Sequence, residues 1–237
     1  MRHAFETMGT VASLHLDGPV PASLIEAVEN VFADYDAEFS LYRSDSPLSA
    51  IGDGRLRLTD APARVIREYE RALDWNRRTT GWFSPHRPDG VLDLSGTIKA
   101  VAIGDAVELL ASAGGSGLLG VGGDVAAIGT GIHRIGVVDP RDRGRVLADP
   151  VLDARRAIAT SGSAERGDHI WSSLGRTDIL QATVLADDIV TADAVATAIV
   201  AAGTAHCGDL LDALPVDALI VSAEGLSATP GWPRVAS

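Results

Sequence analysis

The sequence predicts an α+β fold, with mixed or antiparallel sheets and packed helices in two interleaved lobes. Three observations carry this. Short apolar runs broken by glycine crowd the centre of the chain, between residues 118 and 160. Segments with apolar residues at helical spacing lie mostly outside that stretch, at 22–35, 61–78, 99–111 and 191–202. Strands and helices do not alternate regularly, as they would in a doubly wound α/β fold.

The elements follow in chain order. Residues 10–17 alternate apolar and polar and read as a strand with Val11, or Leu14 and Leu16, inward. Pro19 and Pro21 end it, and Leu24, Ile25, Val28, Val31 and Phe32 then mark one face of a helix. A polar turn at 43–47 follows Phe39 to Tyr42. Thr59 or Asp60 is placed to cap a helix over 61–78, with Pro62 in its first turn and Ile66, Tyr69 and Leu73 on one face. The stretch from 81 to 90 reads as an irregular connection, and 91–94 as a short strand. A helix from Lys99 to Ala111 stops at the glycines of 114–117. Strands are expected at 118–121, 125–128, 134–138, 154–160, 181–185 and 217–221, with a charged turn at Asp139-Pro140. The segment 191–202, rich in alanine and nearly free of charge, reads as the most buried helix. One domain is expected over 1–237, with internal lobes meeting near 80–90.

Composition narrows the function. The chain has 237 residues, 46% of them hydrophobic, which is ample for a core. Its formal charge of -12 argues against a nucleic-acid partner, since phosphate backbones are bound by excess positive charge. The sole cysteine, Cys207, excludes an intrachain disulfide and a cysteine metal cluster. Residues 1–10 hold no apolar run, and no apolar stretch suits a membrane span, so a cytoplasmic location is expected. Of twenty basic residues only Lys99 is a lysine; the rest are arginines.

Four places are too polar or too rich in glycine to be simple core. Gly120-Val-Gly-Gly-Asp124 is either a tight hairpin or a backbone approach to a ligand. Thr160-Ser-Gly-Ser163 follows an apolar strand, where N–H groups and hydroxyls could meet phosphate oxygens, with Arg166 and His169 just beyond. Asp193 and Thr197, four apart, share one helix face and offer the hard oxygens that suit Mg²⁺; an Asp193 stabilised by the dipole in the first helical turn, with Thr197 bonded back to a carbonyl, is the alternative. Lys99 lies near a helix start, where the dipole does not favour a cation, so it needs a specific partner. A phosphate, or Asp105 or another acid, would serve, a buried ion pair being the plain competitor.

Taken in order, these segments resemble the ApbE family, the FAD:protein FMN transferases. The resemblance is carried by Met8-Gly9-Thr10, Phe39 to Ser49, and Leu92-Asp-Leu-Ser-Gly-Thr-Ile-Lys99. It continues through Gly122-Gly-Asp124, Ala159-Thr-Ser-Gly162, His169-Ile170 and Ala192-Asp-Ala-Val-Ala-Thr-Ala198. It implies an ApbE-like fold and an enzyme that binds FAD and Mg²⁺. Such an enzyme attaches the FMN moiety to a threonine or serine of an acceptor flavoprotein and releases AMP. It further implies Asp193, Thr197 and the backbone carbonyl of Ile98 as metal ligands, and Lys99 with Thr160, Ser161, Gly162 and Ser163 beside the phosphates. His169 would be the base, and Met8, Tyr42, Ser44 and Asp124 would belong to the flavin and adenosine pocket. The sequence departs from the family pattern at Ala50-Ile-Gly52, Ala100, Gly104 and Trp171-Ser-Ser-Leu-Gly175. Two alternatives therefore stand beside transfer: FAD pyrophosphatase activity, and FAD binding without catalysis.

Overall fold

The protein is described by a computed structural model covering residues 1–153, 156–162 and 177–233. The chain opens with a hairpin, β1 (Arg2–Thr7) and β2 (Thr10–Leu16), followed by α1 (Ala22–Phe39), α2 (Pro47–Gly52), a 3₁₀ turn at Leu58–Asp60, α3 (Ala63–Arg78) and α4 (Ser95–Ser112). Next come β3 (Gly117–Val121), β4 (Asp124–Ile128), β5 (His133–Arg134), β6 (Val137–Asp139), β7 (Asp142–Ala148) and β8 (Val151–Leu152). The last elements are β9 (Ala157–Gly162), β10 (Ile179–Ala186), α5 (Ile189–Ala202), α6 (Cys207–Ala213), β11 (Asp217–Ser222) and β12 (Gly225–Ala228).

Eight strands form a single sheet in the order β1-β2-β3-β4-β9-β10-β11-β12, with every neighbouring pair antiparallel. Alternation along each strand sends successive side chains to opposite faces. On one face Ala12, Leu14, Ala126, Ala157, Ala159, Val184 and Ile220 meet the helices in the main core. On the other, Ala127, Ile158, Leu185 and Leu219 pack with Val137, Ala148 and Leu152 of the small pairs β5-β8 and β6-β7. Each fully buried Leu, Ile or Phe of the main core contributes about 1.5–3 kcal/mol relative to exposure.

Helices α4 and α5 are the ones that matter for the site. They pack against each other, α4 also against β4, and α5 against β9 and β10. The all-round apolar character of α5, read from its sequence as burial, is explained by this position between a helix and the sheet. Helix α4 begins at Ser95, a turn earlier than the apolar spacing suggests. Asp93 Oδ1 accepts the Ser95 N–H at 2.9 Å and satisfies a donor that the helix leaves open. Gly96 lets the ring of Phe83 lie against this first turn, since a Cβ there would stand 3.0 Å from Phe83 Cε2.

Several expectations shift. The buried face of α3 is Val65, Glu68, Ala72 and Trp75, one residue out of phase with the expected one. Pro62 is the residue that precedes this helix, and the 3₁₀ turn takes up Thr59 and Asp60. The expected strand at 91–94 is reduced to a single bridge between His86 and Leu92. There the chain spends its backbone bonds locally, Arg87 N–H on Val91 O and Asp93 N–H on Pro85 O. In β2, Ala12, Leu14 and Leu16 are buried and Val11 is exposed.

Candidate functional site

Register places several turns at one end of the sheet. Thr7 pairs with Thr10 across Met8 and Gly9, and Val121 pairs with Asp124 across Gly122 and Gly123. Ala12 pairs with Val121, and the Gly122 N–H donates to Val11 O at 3.3 Å, so the two turns are neighbours. The carboxyl end of β9 points the same way, because β9 runs antiparallel to β4 and meets it through Val125↔Ile158 and Ala126↔Ala157. Met8 and Gly9 have φ of 47° and 71°, the positive values that a tight two-residue hairpin demands. For methionine that conformation is strained. Gly123 is close-packed for another reason: a Cβ there would stand 3.1 Å from Thr160 O.

Four elements bring their polar side chains together at this end. Lys99 of α4 places Nζ 2.5 Å from Asp124 Oδ2 of β4 and 3.8 Å from Asp193 Oδ2 of α5. The other oxygen of Asp124 accepts the Thr160 N–H of β9 at 3.3 Å. One residue on, Ser161 Oγ shares a hydrogen bond with Thr197 Oγ1 at 3.2 Å. Asp124 is 0% exposed, and the side chains of Lys99 and Asp193 are 13% and 6% exposed. Charge in such a setting is maintained only by pairing. Thus Lys99 does have a buried carboxylate as partner, but it is Asp124 and not Asp105, whose Oδ2 accepts the Tyr35 hydroxyl instead.

Strand register separates Thr160 from Ser161. Residues 160–162 continue β9 and pair with Thr183, Ala182 and Gln181, so the strand runs two residues beyond the expected end at 160. Ser161 faces α5, but the Thr160 hydroxyl faces the opposite side and bonds Thr183 Oγ1 at 3.0 Å. Near it Gln181 Nε2 donates to Val138 O at 3.2 Å. A small cavity there is lined by Val138, Asp139, Arg143, Thr160, Gly162 and Gln181. The sequence reading passed over Gln181 and Thr183; their signal was two polar residues, two apart, inside an otherwise apolar strand.

The remaining expected residues divide as follows. Met8, half-buried, packs against the core at the hairpin turn. Tyr42 is 90% exposed and Ser44 is also exposed, both on the turn between α1 and α2 outside the buried cluster. Arg55 Nη2 donates to Ser44 O at 2.9 Å. Ile98 is buried within the first turns of α4. Ser163 and His169 lie outside the described residues.

The sequence model of the ApbE family matches residues 84–220, more than half of the chain. The chain belongs to the ApbE family. The matched region carries α4, β4, β9 and α5, and with them every member of the buried cluster. Solved structures agree on the fold. The ApbE protein of Thermotoga maritima superposes with a TM-score of 0.85 at 20% identity, over 97% of each chain. The flavin transferase ApbE of Vibrio cholerae gives 0.78 at 19% identity, over 97% of this chain and 96% of that one. The apo flavinyl transferase ApbE of Pseudomonas stutzeri gives 0.75 at 20% identity, over 97% and 94%. A search of curated proteins returns no match.

The donor chemistry of this ApbE site suits a small hard cation. Among the described residues no group of three or more His, Cys, Asp or Glu side chains forms a metal cage. Mg²⁺ does not need one, because it binds through one or two carboxylates and completes its shell with water and substrate phosphate. Asp193 with the Thr197 hydroxyl on the same helix face meets that description. No helix of the described residues is long and apolar enough to cross a membrane.

Proposed function

We propose that this ApbE-family protein transfers the FMN moiety of FAD to a threonine or serine hydroxyl of an acceptor flavoprotein, with AMP as the second product and Mg²⁺ as the required ion. The supporting observation is the convergence of Lys99, Asp124, Ser161, Asp193 and Thr197, from four elements, on one end of the sheet.

In this reading Asp193, Thr197 and the Ile98 carbonyl hold the ion. Mg²⁺, when bound, neutralises charge on the pyrophosphate oxygens. The protein's own part is to fix that position. Ser161 orients the Thr197 hydroxyl, and Asp124 fixes Lys99, whose ammonium brings the positive charge that a chain of net charge -12 must supply locally. A bond forms between the acceptor oxygen and the FMN phosphorus while the bond to the AMP oxygen breaks. The hydroxyl proton passes to His169, whose imidazole is suited to accept it near neutral pH. Met8, Tyr42 and Ser44, with Asp124, would meet the flavin and adenosine, and Thr160, Ser161, Gly162 and Ser163 the phosphates.

The test is incubation of purified protein with FAD, with and without Mg²⁺, in the presence of a candidate acceptor subunit. Release of AMP with flavin covalently retained on the acceptor is expected, and Asp193→Asn should abolish both. AMP accompanied only by free FMN would make the protein a hydrolase. FAD binding without AMP would make it a binding protein.

A further inference from the structure

Among the described residues the cluster holds two buried carboxylates and one ammonium. Lys99 Nζ is 2.5 Å from Asp124 Oδ2, a close buried ion pair, and 3.8 Å from Asp193 Oδ2, beyond hydrogen-bond range but well within Coulomb range. Asp124 is itself anchored, because its second oxygen takes the Thr160 N–H of β9. We propose that Lys99 is an internal cation that competes with a divalent ion for Asp193, and that Asp124 decides the competition by holding the ammonium to itself. Asp124 is thereby a positioning residue for the cation site, although it is no ligand. This inference rests on the reading of Asp193 and Thr197 as a divalent-cation site.

Two physical points favour it. An ionised Asp193 inside an apolar helix requires a compensating charge, and the ammonium is near enough to supply part of it when no ion is bound. A lysine suits that task better than an arginine: its compact charge on a flexible stem pivots between neighbouring oxygens, whereas a guanidinium would clamp one carboxylate through two bonds. This is the one position where a chain with nineteen arginines uses lysine.

The experiment is Mn²⁺ titration, followed by electron paramagnetic resonance of the free ion, on wild-type protein and four variants in the absence of flavin. Asp124→Asn frees Lys99 to turn to Asp193 and is expected to weaken Mn²⁺ binding by roughly tenfold or more. Lys99→Met is expected to tighten it by a similar factor, and Lys99→Met/Asp124→Asn to return it to within a few-fold of wild type. Unchanged affinity in Asp124→Asn, or weaker binding in Lys99→Met, overturns the competition. If Lys99→Met alone does not fold, the contrast between Asp124→Asn and the double variant carries the same test, because the double variant removes both members of the buried pair. Asp193→Asn separates the two levels. If it binds Mn²⁺ as wild type does, the cation site itself is elsewhere; if it loses Mn²⁺ while the other variants fail to differ, only the role of Lys99 and Asp124 falls.

Discussion

Ser161 Oγ and Thr197 Oγ1 meet at 3.2 Å, so the end of β9 is tied by a hydroxyl pair to the face of α5 that also bears Asp193. Thr197→Val keeps the shape of the side chain and removes the oxygen. Mg²⁺-dependent AMP release should fall at least tenfold, while the melting temperature changes by only a few degrees, because the loss of one half-buried hydrogen bond costs about 1 kcal/mol. Full activity in a folded Thr197→Val protein would remove the hydroxyl from the proposed ligand set.

The pair formed by Lys99 and Asp124 should be costly to break from one side. Lys99→Met leaves Asp124, which is fully buried, without its nearest cation, and the expected loss is about 3–5 kcal/mol in urea or guanidinium unfolding. Lys99→Met/Asp124→Asn should recover part of that loss, since Asp124 no longer carries a charge, although Asp193 still loses the nearby ammonium. Equal destabilisation by the single and double variants would mean that packing of the lysine stem, rather than its charge, accounts for the effect.

Glu68 presents the opposite case. It lies on the buried face of α3, its residue 4% exposed, with Arg71 Nη1 at 3.3 Å. Burial raises its carboxyl pKa above the ordinary value, Arg71 opposes that rise, and the charge of Asp105 adds to it. A raised pKa in the folded state means that stability falls as pH climbs through the folded pKa. Glu68→Gln resembles the protonated form at every pH. It should therefore be more stable than wild type at pH 7, with the difference closing as the pH is lowered below 4.5. A destabilised Glu68→Gln at pH 7 would show that the bond to Arg71 outweighs desolvation.

What could be read from the sequence depended on range. Helix α5 was legible because its apolar pattern runs all round, and Asp193 and Thr197 were legible as a pair because four residues return a helix to the same face. The partner of Lys99 was not, because Asp124 comes from a strand two elements further along and meets α4 only when the sheet is assembled. Strand β1 escaped notice since its residues Arg2–Thr7 are mostly polar and alternate only between exposed and half-buried. Strand β7 reads as a charged turn because five of its residues in succession, 142–146, are exposed. The orientation of the Thr160 hydroxyl, away from Ser161, follows from pairing with β10 and has no local signature. In each case the hidden information is tertiary register, which a one-residue slip would reverse.

Away from the site, Tyr35 joins α1 to α4 through its hydroxyl, which donates to Asp105 Oδ2 at 2.7 Å, while the Arg64 guanidinium stacks 3.8 Å over its ring. Burial raises its pKa from 10.0 to about 12; the bond with Arg64 opposes the shift and Asp105 adds to it. The folded chain therefore keeps the phenol proton to higher pH than the unfolded chain, and stability falls as pH rises from 10.0 towards about 12. Tyr35→Phe removes that slope. At neutral pH it leaves Asp105 Oδ2 without its phenol donor and should cost about 1–3 kcal/mol. Unfolding free energies of the two proteins should then converge as the pH is raised above 10.0. Parallel curves across that range would show that the Tyr35 phenol loses its proton equally readily in both states, so that its burial carries no pH-dependent stability.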